Sequence, residues 1–82
     1  MRSLMHEFTY KEGIYKTRCH VYCLGVLETP GGSIVTYSLD YYDVNGCLQY
    51  YDFIMPGYLS DSTARMICSF LIFNNYKKHP NL

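Results

Sequence analysis

The segment Cys19-His20-Val21-Tyr22-Cys23 is the first place in this sequence to look for chemistry, because thiolate and imidazole ligands four residues apart resemble part of a zinc finger. Strand geometry opposes that reading. In an extended chain residues i and i+4 lie about 13 Å apart, whereas two thiolates on one zinc sit within about 4 Å of each other. His20 would also point to the opposite face, and no glycine or proline inside the segment allows a knuckle turn. Cys47, Cys68 or His79 would have to complete the site from elsewhere, and there is no Cys-x-x-Cys pair. No metal and no cofactor is expected.

The same thiols are weak candidates for catalysis. A cysteine nucleophile needs a histidine within hydrogen-bond reach and a route to the thiolate. Cys19 faces away from His20, and Cys47, just past Gly46, has no base supplied by its neighbours. No Gly-x-Ser-x-Gly elbow is present. Gly31-Gly32 joins two strands and opens no helix, so it lacks the helix N-terminus that would hold a phosphate. Asp40 and Asp52 could be neighbours across a hairpin, as a glycosidase or a cation would require. On an open sheet such a pair is more often solvated charge or a contact for a basic partner. A non-enzymatic protein is expected.

Composition points to surface contact. Ten of the 82 residues are tyrosine and none is tryptophan. A tyrosine ring buries apolar area while its hydroxyl needs a partner or water, so tyrosines gather at half-wet surfaces and interfaces. Seven basic and seven acidic residues cancel, which removes the long-range field that draws proteins to nucleic acid or anionic membranes. The chain reads as one domain over residues 1–76 with a flexible tail over 77–82. A chain of this length has little room for a deep enclosed pocket. The N-terminus lacks the apolar run of a signal peptide, and apolar stretches such as Phe70 to Phe73 are too short to span a bilayer. A cytoplasmic location and four free thiols are therefore expected.

The elements that carry these residues follow from the turn signals. Tyr10-Lys11-Glu12-Gly13, Thr29-Pro30-Gly31-Gly32 and Asp43-Val44-Asn45-Gly46 mark three hairpin turns. They imply four strands near Met5 to Tyr10, Ile14 to Leu27, Ser33 to Tyr42 and Cys47 to Met55, rich in β-branched and aromatic residues. Gly25 marks a bend or bulge in the long second strand. If the third turn is type I followed by a glycine bulge, Ser38 lies opposite Asp52. A plain two-residue Asn-Gly loop would put Leu39 there instead. The first register keeps Asp52 among polar groups. It gives a core face of Val35, Tyr37, Leu39, Tyr41, Tyr51, Phe53 and Met55, with Gln49 toward the turn. Thr36, Ser38, Asp40, Tyr42, Leu48, Tyr50, Asp52 and Ile54 fall on the opposite face. In the second strand Cys19, Val21, Cys23, Gly25 and Leu27 share one face, and Arg18, His20, Tyr22, Leu24 and Val26 the other.

After Pro56-Gly57, Ser60-Asp61-Ser62-Thr63 offers an N-cap serine and an acidic first turn, so a helix should follow. Ala64, Ile67, Cys68, Leu71 and Asn75 would form its buried stripe, widened by Met66, Phe70 and Phe73. The competing reading makes Ile67 to Phe73 a fifth strand. The expected fold class is α+β: a four-stranded antiparallel β-sheet (meander) with one C-terminal α-helix packed on one face.

The face left uncovered would present Tyr22, Asp40, Tyr42, Tyr50 and Asp52, a mixture of rigid aromatic anchors and orienting carboxylates that suits a protein interface. The functional expectation is a small interaction module that blocks a host protein, as anti-CRISPR and anti-restriction proteins of phages and mobile elements do. Its partner would be another protein, for instance in a nucleic-acid-processing complex, or a second copy in a homodimer. The alternative is a nucleic-acid-associated regulator using Lys11, Lys16 and Arg18 around the first hairpin, although the aspartates beside the tyrosines disfavour direct stacking on bases.

Overall fold

A computed structural model describes residues 2–77. Four strands, β1 (Ser3–Glu12), β2 (Tyr15–Thr29), β3 (Gly32–Tyr42) and β4 (Leu48–Met55), precede a single helix, α1 (Asp61–Lys77). The strands form one antiparallel sheet in the order β1-β2-β3-β4. This is the expected α+β meander with a C-terminal helix. Helix α1 runs through Lys77, so the proposed tail starts inside it, and residues 78–82 lie outside the described part.

The Asp43 turn sets the register of the second half of the sheet. The Gly46 N–H donates to the Asp43 carbonyl at 3.0 Å, and the Asp43 N–H donates to the Cys47 carbonyl at 2.9 Å. Gly46 has φ of 78°, a conformation that costs a side chain about 1 kcal/mol or more. The Asp43 carboxylate accepts the N–H groups of Asn45 and Cys47, both at 2.9 Å. This is a type I turn closed by a glycine bulge, and Ser38 does stand opposite Asp52.

Two bulges interrupt the first half. Met5 is the extra residue in β1, where the pairing shifts between Leu4 and His6. Leu24 is the extra residue in β2, where it shifts between Cys23 and Gly25. A single inserted residue reverses the side-chain alternation beyond it. Gly25 and Leu27, expected on the core face with Cys19 and Val21, instead oppose Thr36 and Ile34 on the other face. Val26 opposes Val35 on the core side.

Helix α1 starts at a cap. The Ser60 hydroxyl accepts the Thr63 N–H at 3.3 Å, and the Ser60 carbonyl accepts the first intrahelical bond from Ala64 at 2.9 Å. Ile67 to Phe73 is therefore helical and not a fifth strand. The buried stripe is Ala64, Cys68 and Ile72, flanked by half-buried Ile67, Leu71 and Asn75. Met66, Phe70 and Phe73 are exposed. The stripe meets Phe8, Tyr10, Cys19, Val21, Val35, Tyr37, Leu39 and Tyr41 from the sheet. Small residues face each other at this contact, Cys19 from the sheet and Cys68 from the helix, with Ala64 beside them in the stripe.

The helix crosses the sheet obliquely and covers β4 only in part: Phe53 and Met55 are half-buried against the core. Its start lies over β1, where the Asp61 carboxylate sits 3.3 Å from His6 Nδ1. Its end lies over the first residues of β2 and the last of β3: the Asn75 side-chain amide donates to the Tyr41 hydroxyl at 2.8 Å, and Tyr76 stacks on Tyr15 at 5.7 Å between centroids. Tyr51 faces the helix side yet is 48% exposed.

Candidate functional site

The face of the sheet away from α1 is built from cross-strand rows. Glu7, His20, Asp40 and Tyr50 oppose one another in turn, and the next row runs Leu4, Tyr22, Ser38 and Asp52. Period-two alternation in β3 and β4 then adds Tyr42, Leu48, Thr36 and Ile54 to the same surface. All five residues expected at the site lie on this face. They divide into two groups with different roles.

Tyr22 and Asp40 belong to an internal cluster. Arg2 donates to the Asp40 carboxylate at 2.8 Å, and its guanidinium lies 4.1 Å above the centroid of the Tyr22 ring. Tyr22 stacks in turn on His20 at 6.3 Å. Ser38, buried although it is on the outer face, donates to Asp40 at 3.3 Å. Asp40 is only 13% exposed, and its hydrogen bond raises the Arg2 pKa further above its ordinary value. The expected orienting carboxylate is thus occupied within the molecule. Arg2 stands 38 residues from Asp40 in sequence and carries no local signal of this role.

Tyr42, Tyr50 and Asp52 are the outward group. Tyr42 is 51% and Tyr50 61% exposed, and the neighbouring aliphatic residues Leu48 and Ile54 are exposed as well. Ile54 reaches 65%. Asp52 is exposed between Tyr50 and Ile54, with no ion pair among the described residues. Leu4, Leu27 and Ile34 extend the apolar surface along β1 to β3. Leu27 joins it only through the bulge at Leu24, which is why sequence alternation places it elsewhere.

The basic hairpin is less basic than its sequence. Lys11 and Lys16 oppose each other directly near the β1–β2 turn. Arg18 instead pairs with Glu7 at 3.2 Å and donates to the Thr9 hydroxyl at 3.1 Å. Only the two lysines of the three cations are left to meet phosphates.

The thiols follow the strand geometry. Cys19 and Cys68 are buried, and desolvation raises their pKa values to about 11 and about 12, so both are protonated at neutral pH. Cys47 is exposed in its turn. Among the described residues no group of three His, Cys, Asp or Glu side chains could hold a metal ion. Two open grooves flank the helix end: one of about 270 Å³ between β4 and α1, bordered by Tyr51, Leu71 and Asn74, and one of about 380 Å³ between Ile14, Lys16, Tyr42 and Tyr76. Among the described residues no helix is long and apolar enough to cross a membrane.

The chain matches no protein-family model, no curated protein and no solved structure.

Proposed function

We propose that the protein is a small non-catalytic binding module whose outer sheet face covers a surface of another protein. The activity open to such a module is occlusion, as in the inhibitors that phages and mobile elements direct at host complexes. The observation that carries this reading is the uncovered run of Tyr42, Leu48, Tyr50 and Ile54 on one face of β3 and β4. Apolar and aromatic side chains clustered on one face, beside a polar rim, are the usual anatomy of a docking surface. Tyrosine adds rigid area at low entropic cost, and its hydroxyl can bond across the interface. Asp52 supplies a single charge within the patch, which favours a partner with a lysine or arginine at that point.

The test is capture by the tagged protein from nuclease-treated bacterial lysate, with wild type beside the double variant Tyr42→Ala/Tyr50→Ala. The expected result is one stoichiometric protein retained by wild type and lost by the variant, with both proteins folded by circular dichroism. Retention unchanged in the variant would remove the face from the reading. Loss of all retained material on nuclease treatment would instead favour nucleic-acid binding through Lys11 and Lys16, which steep salt dependence would accompany.

A further inference from the structure

The two edges of the sheet are unequal. β1 carries a bulge at Met5 and the charged residues Glu7, Lys11 and Glu12, devices that keep an edge from pairing with another chain. β4 pairs with β3 without interruption from Leu48 to Met55, contains one charge, Asp52, and has no described strand on its other side.

The turn fixes which groups β4 presents at that edge. Asp43 and Cys47 close the hairpin with a hydrogen bond, and hydrogen-bonded and non-hydrogen-bonded pairs alternate from there. Gln49, Tyr51 and Phe53 therefore bond to β3, while the N–H and C=O groups of Leu48, Tyr50, Asp52 and Ile54 point outward. Tyr42, opposite Leu48, bears this out on the other side of the hairpin: its N–H donates to the Thr17 hydroxyl at 2.9 Å and its carbonyl accepts the Tyr15 hydroxyl, both on β2.

We propose that β4 pairs with β4 of a second copy, antiparallel about a two-fold axis at Tyr51, to make one continuous eight-stranded sheet. Opposed residues in such a pair share a face, so the axis must pass through a residue position, and the choice of position is narrow. At Tyr51, Tyr50 meets Asp52 of the second copy and Leu48 meets Ile54, each twice by symmetry. These four pairs exchange two bonds each, about eight in all, and use every outward group of the four residues. At Asp52 the axis would set two carboxylates opposite each other and place Leu48 against Pro56, which has no N–H. At Tyr50 it would place Ile54 against the turn residue Gly46, and at Phe53 it would place Tyr50 against Pro56. Of these four axes, only the one at Tyr51 joins aliphatic to aliphatic and keeps the carboxylates apart. The assembly closes at two copies because both remaining edges are the protected β1. It concerns the sheet edge, and stands or falls separately from the docking face.

Sedimentation equilibrium over a concentration series gives the test, starting from a monomer of 9.6 kDa. Wild type is expected to reach twice that mass and no more. Asp52→Pro removes an outward N–H and no bond to β3, so the variant should stay folded and monomeric. Two further variants read the register even if that one fails to fold. Tyr50→Lys sets a cation opposite Asp52 of the second copy and Tyr50→Glu a like charge, so the lysine variant should dimerise about tenfold more tightly than the glutamate variant. Dimerisation is read on the purified protein alone, whereas the docking face is read only by capture of a different protein, so failure of one is distinguishable from failure of the other. A wild type monomeric at every concentration, open-ended growth beyond two copies, a folded Asp52→Pro variant that dimerises like wild type, or equal dimerisation of the two Tyr50 variants would overturn the proposal.

Discussion

Removing the Tyr37 hydroxyl should loosen the join between sheet and helix without leaving a hole. The Tyr37 side chain is fully buried, its ring stacks on Phe53 at 5.4 Å between centroids, and its hydroxyl accepts the N–H of Leu59 at 2.9 Å. That bond ties the segment between β4 and α1 to the centre of β3. Tyr37→Phe keeps the ring and deletes the acceptor. Leu59 is half-buried, so water can replace part of the lost bond, and a cost of about 1 to 1.5 kcal/mol follows. A chain of 82 residues has a total stability of about 4 to 12 kcal/mol. The melting temperature should then fall by about 5 to 10 °C. Tyr37→Ala removes the ring too and should cost about 3 to 5 kcal/mol, enough to unfold much of the population at the lower end of that range. Tyr50→Ala, on the outer face, should stay within about 0.5 kcal/mol. Urea unfolding followed by circular dichroism reads all three. An unchanged midpoint for Tyr37→Phe would show that the hydroxyl does not anchor the link. A Tyr50→Ala variant as damaged as Tyr37→Ala would refute the assignment of faces.

Ser60→Ala should cost about 1 kcal/mol by leaving the Thr63 N–H without its cap, read as a lower urea midpoint with unchanged slope; no shift would mean the helix start is held by Asp61 and the sheet alone. The protein should also lose stability in alkali. Burial raises Tyr10 and Tyr15 to about 12, Cys19 to about 11 and Cys68 to about 12, against ordinary values of 10.0 and 9.0. With folded pKa values above the unfolded ones, this contribution is complete below about pH 9 and disappears as pH rises through the folded values toward 12. Thermal unfolding between pH 8 and 12 checks it, and a melting temperature constant across that window would contradict the burial of these groups.

The sequence makes one half of this fold easier to read than the other. The Asp43 to Gly46 turn admits two registers, and the preference of Asp52 for polar neighbours selects the right one, so the faces of β3 and β4 are legible from the residues alone. The helix is equally legible from Ser60 and Asp61. The bulge in β2 is not: Gly25 signals an irregularity, but only pairing with β3 decides that Leu24 is the extra residue and that Leu27 turns outward. Arg2 and Asp40, or Arg18 and Glu7, meet through the strand order and have no signature of their own. The tyrosines pose the hardest case, because the same residue type serves two purposes. Inward rings use their hydroxyls as ties: Tyr37 holds Leu59, and Tyr41 receives Asn75. Outward rings at 42 and 50 present theirs to the surroundings. Alternation within the strand separates these roles, and it fails only at Tyr51, which points to the helix side but lies beyond the reach of the oblique helix. That exception has a consequence for β4. A helix directed over β1, β2 and the end of β3 leaves the smooth, nearly uncharged edge strand β4 bare at its edge among the described residues and half-covered on its inner face, which is the condition under which a second copy can pair with it.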